Sequence, residues 1–156
     1  MMTAFLFADM EPKMPKPRPQ REPVAQPDDP NAPVIYNVGY QGRTINEFCR
    51  LVKEAGVTLL VDVRSVPYSR QANFTKGALA ANLQRYGVKY LWRGATMGGK
   101  PGTWTPEGRR KSCKELLDKY QQETLAVMCM ERSVHACHRK ELGVVFAECG
   151  WRNHSL

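Results

Sequence analysis

Two apolar runs constrain this chain more than anything else in it. Val57 to Val63 (VTLLVDV) is broken only near its end by Asp62, and Thr124 to Met130 (TLAVMCM) is apolar after its first residue. Seven residues are too few to span a bilayer, and continuous rather than alternating apolar character fits strands covered on both faces, as in a parallel sheet. Segments of helical period separate these runs from other short strand-like runs. Thr44 and Glu47 form a T-x-x-E capping box, after which Ile45, Phe48, Leu51, Val52 and Ala55 recur at helical spacing until Gly56. Lys76 to Tyr86 reads as a helix closed by Gly87, and helices are expected from about Arg109 to Tyr120 and from Ala136 to Glu148. Val34 to Val38 and Val88 to Trp92 read as further strands, and Trp151 to Leu156 as a short edge strand. The pattern predicts an α/β fold: an open, mostly parallel sheet of about four to five strands with helices on both faces. Gly94 to Gly108 is expected to be a long Gly-rich loop, a candidate lid or binding loop.

Eight of the eleven prolines fall in the first 33 residues, among Gln and mixed charge. Such a stretch buries too little apolar surface to fold, so residues 1–33 are expected to be a disordered, Pro-rich leader and 34–156 one domain. Of 23 Lys/Arg and 15 Asp/Glu, four and five precede Val34, so the remainder carries a formal +9. That excess favours a phosphate-bearing ligand, a nucleotide or nucleic acid, although such charge also serves solubility alone. The five cysteines lack disulfide-scaffold spacing and suit a reducing compartment. With no signal-peptide pattern and no membrane-length apolar run, a cytoplasmic protein without membrane partners is expected.

In open parallel sheets the ligand crevice lies beyond the carboxyl ends of the strands. Gly39, Tyr40 and Arg43 follow the first strand there, and Gly39 and Gly42 suit an anion-binding turn before the capped helix. The second strand carries Asp62 and is followed by Arg64 and Arg70. The densest cluster runs from Cys129 to Arg139 (CMERSVHACHR), with Cys129 and Glu131 at a strand end and Cys137, His138 and Arg139 at a helix start. A helix N-terminus and nearby arginines favour thiolate and carboxylate forms. Cys129, Glu131, His138 and Asp62 are therefore the candidate catalytic residues, with Gly39, Tyr40, Arg43, Arg64, Arg70, Cys137 and Arg139 binding substrate. No cofactor is expected. A structural zinc on Cys129, His135, Cys137 and His138 is a lesser alternative, because the spacing matches no zinc finger or ribbon.

The segments YNVGYQGR, LLVDVRSVPYSR, NFTKGAL, MCME and CHRK resemble the domain-of-unknown-function-488 family, nearly end to end from Ile35 to Glu148. Its pattern falls on Gly39, Tyr40, Asp62, Arg64, Pro67, Arg70, Phe74, Gly98, Gly99, Cys129, Glu131, Cys137, His138 and Arg139. Met97-Gly98-Gly99 departs from the family's L-G-G. The resemblance implies an α/β domain and a shared pocket and supplies no reaction. Three functions stay open: an enzyme on a nucleotide or nucleic acid, in which Arg64, Arg70 and Arg139 hold phosphate; a non-catalytic nucleic-acid or nucleotide-binding module; and a rhodanese-like sulfur carrier using Cys129.

Overall fold

The computed structural model describes residues 27–102 and 104–156. Up to residue 26 the expected leader lies outside the described residues. Five strands form one sheet: β1 (Val34–Gly39), β2 (Leu59–Asp62), β3 (Lys89–Trp92), β4 (Leu125–Cys129) and β5 (Arg152–Ser155), in the order β3-β2-β4-β1-β5. Every pairing is parallel. Helices α1 (Ile45–Glu54), α2 (Lys76–Arg85), α3 (Gly94–Met97), α4 (Pro106–Lys119) and α5 (Arg139–Glu148) connect them. The expected α/β sheet with helices on both faces is what forms.

The apolar runs behave as their patterning requires, because alternate residues of a strand face opposite sides of a sheet. Leu60, Ala126 and Met128 pack with Phe48, Cys49 and Val52 of α1 and Leu79 and Leu83 of α2. Val61, Leu125 and Val127 pack with Met97 of α3, Leu116 of α4 and Leu142 and Phe146 of α5 on the other face. The Thr44/Glu47 capping box forms as expected at the start of α1.

Two boundaries differ from the sequence reading. Gly94 to Gly108 is not one long loop: its start turns into α3, and α4 begins at Pro106. The Thr105 hydroxyl accepts from the Gly108 amide at 3.0 Å, and proline at the first helical position sacrifices no hydrogen bond. The last long helix begins at Arg139 rather than Ala136, after a separate 3-10 turn over Val134–Ala136.

β1 and β2 feed helices on one face, whereas β4, which lies between them, feeds α5 on the other. The loops beyond these three strands therefore diverge and leave a crevice at their carboxyl ends. Among the described residues no helix is long and apolar enough to cross a membrane.

Candidate functional site

Two polar clusters flank the crevice. The first is built on Asp62, the last residue of β2 and fully buried. Its Oδ1 accepts from the Arg64 backbone amide and Nε, each at 3.0 Å. Its Oδ2 accepts from Arg64 Nη2 at 2.7 Å and from the Tyr90 hydroxyl at 2.6 Å. Arg64 Nη1 donates to the Phe74 carbonyl at 2.7 Å, and the guanidinium lies 5.5 Å from the centre of the Tyr40 ring, which stacks on Phe74. A carboxylate in an apolar core needs such partners, since an unpaired charge there is costly. The arrangement anchors the loop after β2. Asp62, Arg64 and Tyr40 are thus brought together, but they face one another, and Arg64 keeps little donor capacity for a ligand.

Burial pushes the Tyr90 hydroxyl above its ordinary value, and its hydrogen bond to Asp62 adds to the shift. A raised folded-state pKa gives stability that is complete below the ordinary tyrosine value of 10.0 and is lost as pH rises beyond it. Denaturation of the chain against pH is accordingly expected to show stability falling above that value. Tyr90→Phe is expected to cost about 1.5–3 kcal/mol at neutral pH, the worth of a hydrogen bond to a charged group, and to flatten the alkaline slope.

The second cluster joins the end of β4 to the start of α5. Cys129 and Cys137 are both buried, and His138 is half-buried. His138 Nδ1 lies 3.5 Å from Cys137 Sγ and 4.0 Å from Cys129 Sγ. Its Nε2 lies 2.9 Å from the Val63 carbonyl. A carbonyl only accepts, so Nε2 carries a proton and donates. Arg139, fully buried, donates from Nε to Cys137 Sγ at 3.4 Å and from Nη2 to the Glu131 carbonyl. A hydrogen bond from Cys129, helped by Arg139, holds the Cys137 thiol below its ordinary value against the opposing effect of burial. The same hydrogen bond, with burial and the Glu131 charge, drives Cys129 the other way and keeps it protonated.

Close backbone approaches hold this second cluster in place. A Cβ on Gly39 would fall 2.0 Å from the Glu131 carbonyl oxygen, and one on Gly99 would fall 2.9 Å from His138 Nδ1. Gly39 therefore serves contact between the loops after β1 and β4. The Gln41 amide of the same turn donates to the Met130 carbonyl at 2.9 Å, so that donor is already spoken for. Within Gly94 to Gly108, read from sequence as a candidate lid or binding loop, two points of the described backbone are held. Arg109, packed on Trp104, donates to the Gly98 carbonyl at 2.6 Å, and the Lys100 amide donates to Ser65 Oγ at 2.9 Å.

The remaining expected residues lie toward the outside. Arg70 is exposed and, with Tyr40, Gln41, Tyr68 and Met130, lines a hollow of about 560 Å³ beyond β1, β2 and β4. Arg43 sits apart, 3.5 Å from the Leu156 carbonyl, with burial and then the charge of Arg132 lowering its pKa. Glu131 Oε2 is buried without a hydrogen-bond partner among the described residues. The side chain of His135 is outside the described residues. Tyr90 and the Val63 carbonyl were not foreseen, because only the pairing of β2 with β3 and the approach of α5 to β2 bring them in.

Fold and site together define an open, all-parallel α/β protein with its polar groups gathered at the carboxyl edge of the sheet. The family described as Domain of unknown function DUF488 matches residues 44–105, which bears out the family resemblance drawn from the motifs. The match takes in Asp62, Arg64 and Arg70 and ends before the Cys129–Arg139 cluster. No curated protein and no solved structure matches the chain significantly.

Proposed function

We propose that this chain is an enzyme acting on a nucleotide or a nucleic-acid strand. The observation that carries this reading is the hollow beyond β1, β2 and β4, with its exposed Tyr68 and Arg70. An aromatic face stacks a base and a guanidinium binds phosphate, and Arg132 adds a second exposed cation beyond β4. In this reading Cys129, Cys137 and His138 form the reacting centre. None of the three lines the hollow, but Met130 in its wall directly follows Cys129 along the chain. Of the arginines expected to hold phosphate, Arg70 takes that role, while Arg64 and Arg139 shape the pocket from within the core. A sulfur carrier built on Cys129 has less support, because that thiol is buried rather than presented in an open loop.

A thermal-shift screen of the full chain against mononucleotides and short single-stranded DNA and RNA tests the proposal. Ligand at a hundredfold excess over Kd is expected to add about 2.7 kcal/mol of apparent stability. Arg70→Ala and Tyr68→Ala are expected to weaken binding, the latter by about 1–3 kcal/mol, without lowering the melting temperature of the free chain. If no phosphate ligand produces a shift, the proposal fails. Should the bound oligonucleotide or nucleotide keep its mass after prolonged incubation, the non-catalytic binding module is the better description.

A further inference from the structure

The Cys129–Cys137–His138 cluster has the donor set and the spacing of a metal site. The two sulfurs and the imidazole nitrogen all lie within 4.8 Å of one another. A tetrahedral zinc ion about 2.3 Å from each sulfur and about 2.0 Å from nitrogen sets sulfur and nitrogen about 3.5 Å apart, and the sulfurs about 3.8 Å apart. The sulfur-to-Nδ1 separations of 3.5 and 4.0 Å lie at or near that value.

The imidazole is already oriented for such a role. With Nε2–H engaged by the Val63 carbonyl, the neutral ring directs the Nδ1 lone pair at the two sulfurs. A backbone carbonyl holding the far nitrogen is the usual outer support of a ligating histidine, since it fixes both tautomer and ring angle. Arg139 gives Cys137 a comparable outer donor. A Cβ on Gly99 would fall 2.9 Å from Nδ1, so only glycine there leaves the ring in place. A bound ion would displace the Cys129 proton, and the resulting two thiolates and neutral imidazole match the charge of a divalent ion, with sulfur donors favouring zinc over magnesium or calcium.

We propose that Cys129, Cys137 and His138 bind one zinc-class divalent ion, leaving its fourth coordination position to water or substrate. Among the described residues the donor set has three members, and three protein ligands with an open position are the pattern of catalytic rather than structural zinc. The sequence offers these three residues, with His135, as a lesser zinc alternative; it is the meeting of a strand end and a helix start in the tertiary fold that brings their donor atoms together. The proposal deepens the enzymatic reading, on which it rests for taking this cluster as the reacting centre.

Cobalt(II) added to the metal-free, reduced full chain is the test, with free-thiol titration confirming that all five cysteines are reduced. One equivalent is expected to produce a thiolate-to-cobalt charge-transfer band that zinc abolishes. Cys149→Ser, outside the cluster, is expected to keep the band. Cys129→Ser and Cys137→Ser are expected to weaken it strongly. His138→Ala, at a half-buried position and therefore the variant least disruptive to folding, is expected to bind cobalt at least tenfold more weakly with an unchanged circular dichroism spectrum. Absence of the band in the reduced wild-type chain, or its full persistence in Cys137→Ser or His138→Ala, overturns the proposal. The nucleotide screen, run on metal-free and metal-loaded chain, is read separately, so failure of either reading leaves the other's result standing.

Discussion

Arg64→Ala is expected to destabilise the protein by about 3–5 kcal/mol, enough to leave a small domain largely unfolded on mild heating. The substitution removes the counter-ion of a fully buried carboxylate and strips the anchor from the Phe74 carbonyl in one step. Among the described residues Asp62 then keeps only the Tyr90 hydroxyl and the backbone amide of position 64 as partners. Urea denaturation of the variant checks the size of the effect. A companion Asp62→Asn,Arg64→Met double variant, which takes both charges out of the core, is expected to lose less than Arg64→Ala alone. If Arg64→Ala melts like wild type, the cluster is not what ties the loop after β2 to the sheet.

Gly39→Ala is the second substitution with a large expected effect. Its Cβ would lie 2.0 Å from one backbone atom of Glu131 and 2.6 Å from the Cα of Arg132, and a backbone cannot rotate away as a side chain can. The loop after β4 has to move outward, which takes the Glu131 carbonyl away from Arg139. A cost of roughly 1–3 kcal/mol or more follows from forced overpacking. Because that loop leads to Cys137 and His138, the cobalt charge-transfer band is expected to weaken with it. An alanine variant of wild-type stability with an intact band would show that the two loops do not need this contact.

Legibility in the sequence followed how local the determining contacts are. The strands were readable because Leu60 and Val61, or Val127 and Met128, are apolar on both faces, a property carried by the run itself. The capping box of α1 was readable for the same reason, as its hydrogen bonds close between Thr44 and Glu47. Pro106 misled, since proline signals both a loop and the first position of a helix, and only Thr105 three residues before Gly108 distinguishes the two. At the site, the residue types were visible but not their partners. Asp62 and Arg64 stand two apart in sequence, yet whether they address a substrate or each other depends on Tyr90 and Phe74, supplied from elsewhere. The cysteines and His138 likewise fit no linear metal pattern, because a strand end and a helix start meet there.

The placement of β4 between β1 and β2 also bears on how the chain reaches this state. The two strands that flank the centre emerge during synthesis well before the one that joins them, so β2 with β3 and β1 with its helix must wait with open, unpaired edges. Pairing at the middle of the sheet closes loops of more than sixty residues, from Leu60 to Ala126 and longer from Val38 to Met128. Such distant closure slows folding and exposes sticky edges meanwhile. The Cys129–Cys137–His138 cluster, sitting directly on the last strand to arrive in the centre, therefore depends on that late pairing for its assembly.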